Sequence, residues 1–230
     1  MNVLGLFARH PVAGEVKTRL AAETGRDRAA QLYAAFVGDL TERFRATADR
    51  RVVCYTPAAA AASEYFAASA GEAYELWPQP EGSLGERMQR FFEEMLKRPE
   101  DRAVLIGSDS PTLPREFVAR AFELLAVHDC VLGPATDGGY YLVGQSACAR
   151  PIFDRVDWST SHVLTQTVDR VERAGARLAL LPPWYDVDSP GDVEMLRGHV
   201  AAMRAAGQSI DLAHTGPLLD RESSPAGRPR

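Results

Sequence analysis

The chain has 230 residues, 46% hydrophobic and 25% charged, with a formal net charge of −5 and a pI near 5.6. That length suits one large α/β domain or two small ones; the acidic balance argues against a general nucleic-acid binder, which needs a basic face, and no run approaches the roughly 18 apolar residues of a membrane span. Cys54, Cys130 and Cys148 are odd in number and show no paired spacing, so they read as reduced thiols in a chain expected to be cytoplasmic.

Met1 to Ala8 is apolar, lacks a basic leader and runs straight into a charged loop, so it reads as a first strand (Val3 to Ala8) rather than a signal peptide. Arg9 to Val16 is a loop with Pro11 and Gly14, and Lys17-Thr18-Arg19-Leu20 leads toward a helix. From Ala29 the positions Leu32, Phe36, Leu40 and Phe44 step by four, with Tyr33 and Val37 widening the stripe. Arg51 to Tyr55 is a second strand, Ala58 to Ala70 an alanine-rich helix and Tyr74 to Trp77 a third strand. Ser83 is expected to cap a helix that turns Leu84, Met88, Phe91, Phe92 and Met95 inward. Val104 to Gly107 is a short apolar run that reads as a strand buried on both faces, ending at Ser108-Asp109-Ser110-Pro111.

Pro114 begins the next helix. Cys130 to Gly133 is a strand, and Tyr140 to Val143 follows it so closely, through Asp137-Gly138-Gly139, that it is the expected antiparallel member. Ser159 or Thr160 is expected to cap a helix carrying Leu164, Val168 and Val171, Leu178 to Leu181 is the last strand, and Val193, Leu196, Val200 and Met203 mark the last helix. The fold class is therefore α/β, a mostly parallel sheet with helices on both faces and one antiparallel strand. A single domain is expected over 1–212, and the Gly-, Pro-, Ser- and Arg-rich remainder, 213–230, is expected to be disordered.

Five segments carry chemistry. Gly14-Glu15-Val16-Lys17-Thr18 is not a P-loop, because Val16 stands where that motif needs glycine before the lysine. It is either a solvated loop or, with Arg9, Lys17 and Arg19 and the free amides of the following helix, an anion site. Only Lys17 and Lys97 of the 26 basic residues are lysine, which hints that a compact ammonium is wanted at position 17. Asp109 either caps the next helix or ligates Mg²⁺ or Mn²⁺, and Asp188 in Asp186-Val187-Asp188 is either a cap or the second carboxylate of a metal clamp. The glycines of Asp137-Gly138-Gly139-Tyr140 allow either a tight connection or close approach to a ligand. Trp158-Ser159-Thr160 is a helix cap or a substrate contact. Neither a Ser-His-Asp nor a Cys-His arrangement is visible.

In order, Phe7-Ala8-Arg9-His10-Pro11 with Gly14 to Leu20, Ile106 to Pro111, Gly133 to Leu142, Trp158-Ser159-Thr160 and Asp186-Val187-Asp188 resemble the DUF2064 family of glycosyltransferase-like proteins over roughly residues 1 to 205. That family is similar to the GT-A (Rossmann-like) nucleotide-diphospho-sugar transferases and, more distantly, to molybdopterin and phospholactate nucleotidyltransferases. The resemblance implies that Arg9, Gly14, Lys17 and Arg19 hold the phosphates of a nucleotide or nucleotide-sugar. It implies that Asp109 and Asp188 hold Mg²⁺ or Mn²⁺, and that Gly138, Gly139, Tyr140, Trp158, Ser159 and Thr160 face the sugar or a small acceptor. Catalytic roles fall to Asp109, Asp137 and Lys17. Ser108-Asp109-Ser110 has one carboxylate where the full GT-A motif has two, so Asp188 is needed to complete the clamp. The implied activity is metal-dependent transfer from a nucleotide-diphospho-sugar. A nucleotidyltransferase releasing pyrophosphate and a non-catalytic nucleotide-binding protein are the alternatives, and the oligomeric state is left open.

Overall fold

The structure, a computed structural model, describes residues 1–222. Strands β1 (Asn2–Arg9), β2 (Arg50–Thr56), β3 (Glu75–Pro78), β4 (Arg102–Ile106), β5 (Cys130–Pro134), β6 (Tyr140–Ser146) and β7 (Leu178–Leu180) make one sheet in the order β3-β2-β1-β4-β6-β5-β7. Every neighbouring pair is parallel except the two made by β6, which runs antiparallel to β4 and β5. The turn between β5 and β6 is too short for a crossover, so β6 must return antiparallel, as the sequence leads one to expect.

Eight α-helices among the described residues flank the sheet: α1 (Thr18–Thr24), α2 (Arg26–Arg43), α3 (Ala60–Ala70), α4 (Leu84–Met95), α5 (Arg115–Leu124), α6 (Val163–Arg173), α7 (Pro190–Ala205) and α8 (Gly216–Glu222). Strand alternation decides which face each side chain enters. Leu4, Leu6 and Ala8 of β1 pack with Tyr33 and Val37 of α2 and Val118 of α5. Val3 packs on the other face with Met88 and Phe91 of α4 and Val171 of α6. Gly5 is required there, because a Cβ would stand 2.5 Å from the Phe91 ring. A third cluster joins Leu20 of α1, Phe36 of α2, Leu196 and Val200 of α7 and Leu219 of α8.

Local capping chemistry is realised at two sites. Ser83 and Glu86 form a capping box on α4, and Ser189 and Asp192 form one on α7. The cap expected at Ser159 or Thr160 is not formed: α6 begins at Val163 with His162 as its N-cap residue. Ser159 instead adopts a left-handed φ of 64°, and Thr160 Oγ1 donates to the Asp157 carbonyl and accepts from the His162 amide, so the hydroxyl closes a preceding turn.

The expectation of disorder from 213 onward is also corrected. Thr215 is fully buried and Leu219 nearly so. The Asp39 carboxylate of α2 accepts from the His214 amide at 2.8 Å and the Thr215 amide at 2.9 Å, and Arg43 donates to the Asp211 carbonyl at 2.6 Å. Composition gave no warning, because what orders this polar segment is a buried carboxylate and guanidinium on a helix far away in sequence. The part of that expectation covering 223–230 lies outside the described residues.

Candidate functional site

β1 and β4 are neighbours, yet β2 and β3 extend the sheet away on one side and β6, β5 and β7 on the other. Such a reversal opens a crevice beyond the carboxyl ends of the two strands, where ligands of open α/β sheets bind. Three chain segments converge there: the loop after β1, the loop after β4, and the extended stretch between β7 and α7.

Lys17 is the centre of the first segment. It is the residue before α1, held at a left-handed φ of 47°, and its side chain is only 3% exposed. Its ammonium lies 5.8 Å from the ring centres of both Tyr33 and Phe36. It donates to Asp188 Oδ1 at 2.7 Å and makes an ion pair with Asp109 Oδ1. Burial pushes the Lys17 ammonium toward deprotonation, but the charges of Asp109 and Asp188 outweigh it and hold the group above the ordinary lysine range. The ammonium therefore stays charged between two carboxylates that are 43% and 42% exposed.

Asp109 and Asp188 meet because the two outer segments are laced together. The Val187 amide donates to the Asp109 carbonyl at 2.9 Å, and Ser110 Oγ donates to Asp186 Oδ1 at 2.6 Å. Val187 is fully buried in the third cluster, and the period of two turns Asp186 and Asp188 back toward the rim. Neither carboxylate is a helix cap. Pro114 occupies the N-cap position of α5, and Ser189 with Asp192 caps α7.

Tyr33 braces the same crevice. Its hydroxyl accepts from the Arg9 amide at 2.9 Å and shares a 2.7 Å hydrogen bond with Ser108 Oγ, linking the ends of β1 and β4. Burial pushes its phenol up to about 12, so it serves as a neutral hydrogen-bonding strut.

Two clefts open on either side of Asp109. The first, about 280 Å³, is lined by Arg9, Lys17, Arg19, Tyr33, Asp109 and Asp188 among others. Three of these are the cations expected to hold phosphates. Gly14 does not line it; its φ of 86° makes the turn, and a Cβ there would stand 3.2 Å from Arg26. The second cleft, about 350 Å³, is lined by Asp109, Asp137, Asp186, Gly139, Tyr140 and Trp158, with Ser159 and Thr160 on the same wall. Phe7, Leu84 and Met88 form an apolar side.

Gly138 is not part of that lining. Its φ of 92° and the absence of a side chain let the Ser161 backbone approach: a Cβ would stand 2.5 Å from the Ser161 carbonyl oxygen. The close approach anticipated for a ligand is thus filled by the protein itself. Asp137 Oδ1 accepts from the Gly139 amide at 2.8 Å, which fixes the carboxylate at the cleft edge. Tyr140 and Trp158 meet edge to face, 6.4 Å apart.

Asp186 is the functional candidate that the sequence reading passed over in favour of Asp188. Burial, reinforced by Asp109, Asp137 and Asp188 and opposed by the Ser110 hydrogen bond, pushes its carboxyl up to about 6. The period-two spacing from Asp188 was the available signal. Tyr33, read as a core residue of α2, is the other.

Among the described residues no cluster of three or more His, Cys, Asp and Glu could enclose a metal. Two half-exposed carboxylates that already share one cation nevertheless fit Mg²⁺ or Mn²⁺, which usually takes one or two carboxylates and completes its shell with phosphate oxygens and water.

A family model described as an uncharacterized protein conserved in bacteria (DUF2064) matches residues 38–160. Among solved structures, a candidate nucleotide-diphospho-sugar transferase from Desulfovibrio desulfuricans G20 is 34% identical, with a TM-score of 0.84 over 96% of this chain and 97% of that one. A nucleotidyl transferase from Methanothermobacter is 14% identical, with a TM-score of 0.60 over 88% of this chain and 99% of that one. For 4-diphosphocytidyl-2C-methyl-D-erythritol synthase the identity is 15% and the TM-score 0.56, over 86% and 97%. These last two share the fold alone. No curated protein sequence matches the chain.

Proposed function

The chain belongs to the DUF2064 family, and on that footing we propose that it is a transferase that moves the sugar of a nucleotide-diphospho-sugar onto a small acceptor hydroxyl and releases a nucleoside diphosphate. The observation that supports this best is Lys17 held between Asp109 and Asp188 in the cleft that Arg9 and Arg19 also line, with Asp109 shared by the neighbouring carboxylate-lined cleft.

Arg9, Lys17 and Arg19 bind the diphosphate in the first cleft, where fixed positive charge favours the departing anion. Lys17 also keeps Asp109 and Asp188 together in the ligand-free protein. A Mg²⁺ or Mn²⁺ ion held by Asp109 and Asp188 would supply further positive charge against the leaving phosphate. In the second cleft Asp137, exposed and with Oδ2 unengaged among the described residues, orients the acceptor hydroxyl. Asp186 is better matched to taking its proton, since a carboxylate raised to about 6 lies nearer neutral pH than an ordinary one. The aromatic wall of Tyr140 and Trp158 shields the reacting group from water.

The test is to offer labelled nucleoside triphosphates and nucleotide-sugars with Mg²⁺ or Mn²⁺ and to identify the phosphorus product. Nucleoside diphosphate formed together with a glycosylated acceptor is expected. Pyrophosphate without sugar transfer would assign nucleotidyl transfer instead, and tight binding without any product would leave a nucleotide-binding protein.

A further inference from the structure

The two clefts differ in charge, and that difference names the kind of group the second one takes. The first is lined by the cations Arg9, Lys17 and Arg19, which offset its carboxylates Glu15, Asp109 and Asp188. The second is lined by Asp109, Asp137 and Asp186, and no Lys, Arg or His is among its lining residues. Lys17 pairs with both Asp109 and Asp188 from the side of the first cleft and offsets one of their two charges. Asp137 and Asp186 face the second cleft with no basic partner among the described residues: Asp137 is held by the Gly139 amide and Asp186 by the Ser110 hydroxyl, both neutral.

A carboxylate that faces a cavity accepts hydrogen bonds from hydroxyls and repels anions. Ser108, Ser159 and Thr160 add neutral hydroxyls, and much of the remaining wall is apolar. Trp158 and Tyr140 stand edge to face, and Leu84, 42% exposed, lines the cleft as apolar surface that a bound group would cover. Carboxylate acceptors beside aromatic and aliphatic faces suit a molecule with hydroxyls on its rim and C–H groups on its face.

Resting on the reading of the first cleft as the diphosphate site, we infer that the second cleft selects an uncharged, hydroxyl-rich glycosyl or polyol group and rejects an anionic one such as a uronate or a phosphate monoester. A negatively charged group in that position meets two uncompensated carboxylates, and only the first cleft offers it cations. The same partition disfavours an acceptor that attacks through a phosphate, because no cation lines the second cleft to receive one.

The experiment is calorimetry on the full chain with Mg²⁺. Free nucleoside diphosphates (UDP, GDP, ADP, CDP, dTDP) are titrated first to find the preferred base. A matched pair on that base then follows, one donor with a neutral hexose and one with the corresponding hexuronate. The neutral donor is expected to bind about ten-fold or more tightly than its uronate. In Asp137→Asn and Asp186→Asn, where the amide keeps the neutral hydrogen bond and loses the charge, the gap is expected to shrink to within about three-fold. A uronate that binds as well as the hexose overturns the inference, as does a gap unchanged in both variants, which would make the preference one of shape. If no nucleoside diphosphate binds, the phosphate reading of the first cleft fails and this inference falls with it; if diphosphates bind and the ranking is reversed, only the inference fails.

Discussion

Lys17 Nζ donates to Asp188 Oδ1 across 2.7 Å, joining residues 171 positions apart in the chain. The same ammonium pairs with Asp109, so one buried cation holds together the two carboxylates on which any divalent ion would depend. A metal bound by these carboxylates would compete with Lys17 for the same oxygens, and under the proposed function the phosphates of a nucleotide would be the alternative partners for the displaced ammonium.

Lys17→Met tests that competition. Without the ammonium, Mn²⁺ is expected to bind the nucleotide-free protein more tightly, measured by paramagnetic resonance of the free ion. Nucleoside diphosphate binding, measured by calorimetry, is expected to weaken about ten- to a hundred-fold from loss of a charge-assisted phosphate contact. Weaker Mn²⁺ binding in the variant would show that Lys17 supports the metal rather than competing with it.

Asp109→Asn is expected to abolish metal-dependent nucleotide binding while leaving the melting temperature close to that of the parent, since Asp109 is half-exposed and caps no helix. Thermal-shift titrations with and without Mg²⁺ read both quantities. Undiminished metal-dependent binding would remove Asp109 from the site.

Asp186 makes stability depend on pH with a definite sign. Its carboxyl is raised from 3.8 to about 6 in the folded protein, so the fold retains the proton over a range where the unfolded chain has lost it. The stability this gives is fully present below pH 3.8 and is lost as pH rises through about 6. Asp186→Asn removes the penalty and keeps an acceptor for Ser110. In metal-free buffer it is expected to be about 2–3 kcal/mol more stable than the parent at pH 8, with the difference vanishing near pH 4. Urea unfolding across that range checks it; a difference independent of pH would contradict the assignment.

Gly138→Ala and Gly175→Ala separate steric need from backbone preference. Both glycines have positive φ, 92° and 62°, but only at 138 does a Cβ collide, at 2.5 Å from the Ser161 carbonyl; at 175 nothing lies within 4 Å. Gly175→Ala is expected to cost about 1 kcal/mol and Gly138→Ala at least about twice that, because the 159–163 turn must shift as well. Equal costs would mean that the Ser161 turn yields freely.

Asp39→Ala is expected to destabilise the protein by about 1–3 kcal/mol, because it strands the buried Thr215 amide and the partly buried His214 amide. Amide hydrogen exchange should rise first over 211–222. A variant as stable as the parent would show that this segment contributes nothing to the fold.

Much of the architecture was legible in the sequence, for reasons that are local. The step of four through Leu32, Phe36 and Leu40 and the apolar run at Val104 each report their own element's geometry. The Ser83 cap acts within one helical turn. The short link through Asp137-Gly138-Gly139 leaves β6 no direction but antiparallel. These signals reach three or four residues along the chain, which is why they survive without knowledge of the rest.

What only the tertiary structure decided is which of the chemical residues meet. Asp109 and Asp188 were each readable as a helix cap, and the choice fell when Val187 bonded to the Asp109 carbonyl and Ser110 to Asp186. Gly138 was readable as a ligand contact and proved to admit the Ser161 backbone, while Asp39 ordered a segment whose composition resembled a tail. Side-chain type and spacing are properties of the chain, but charge pairing and desolvation act through space. A buried ammonium between two carboxylates exists only once the sheet has brought three remote loops to one rim.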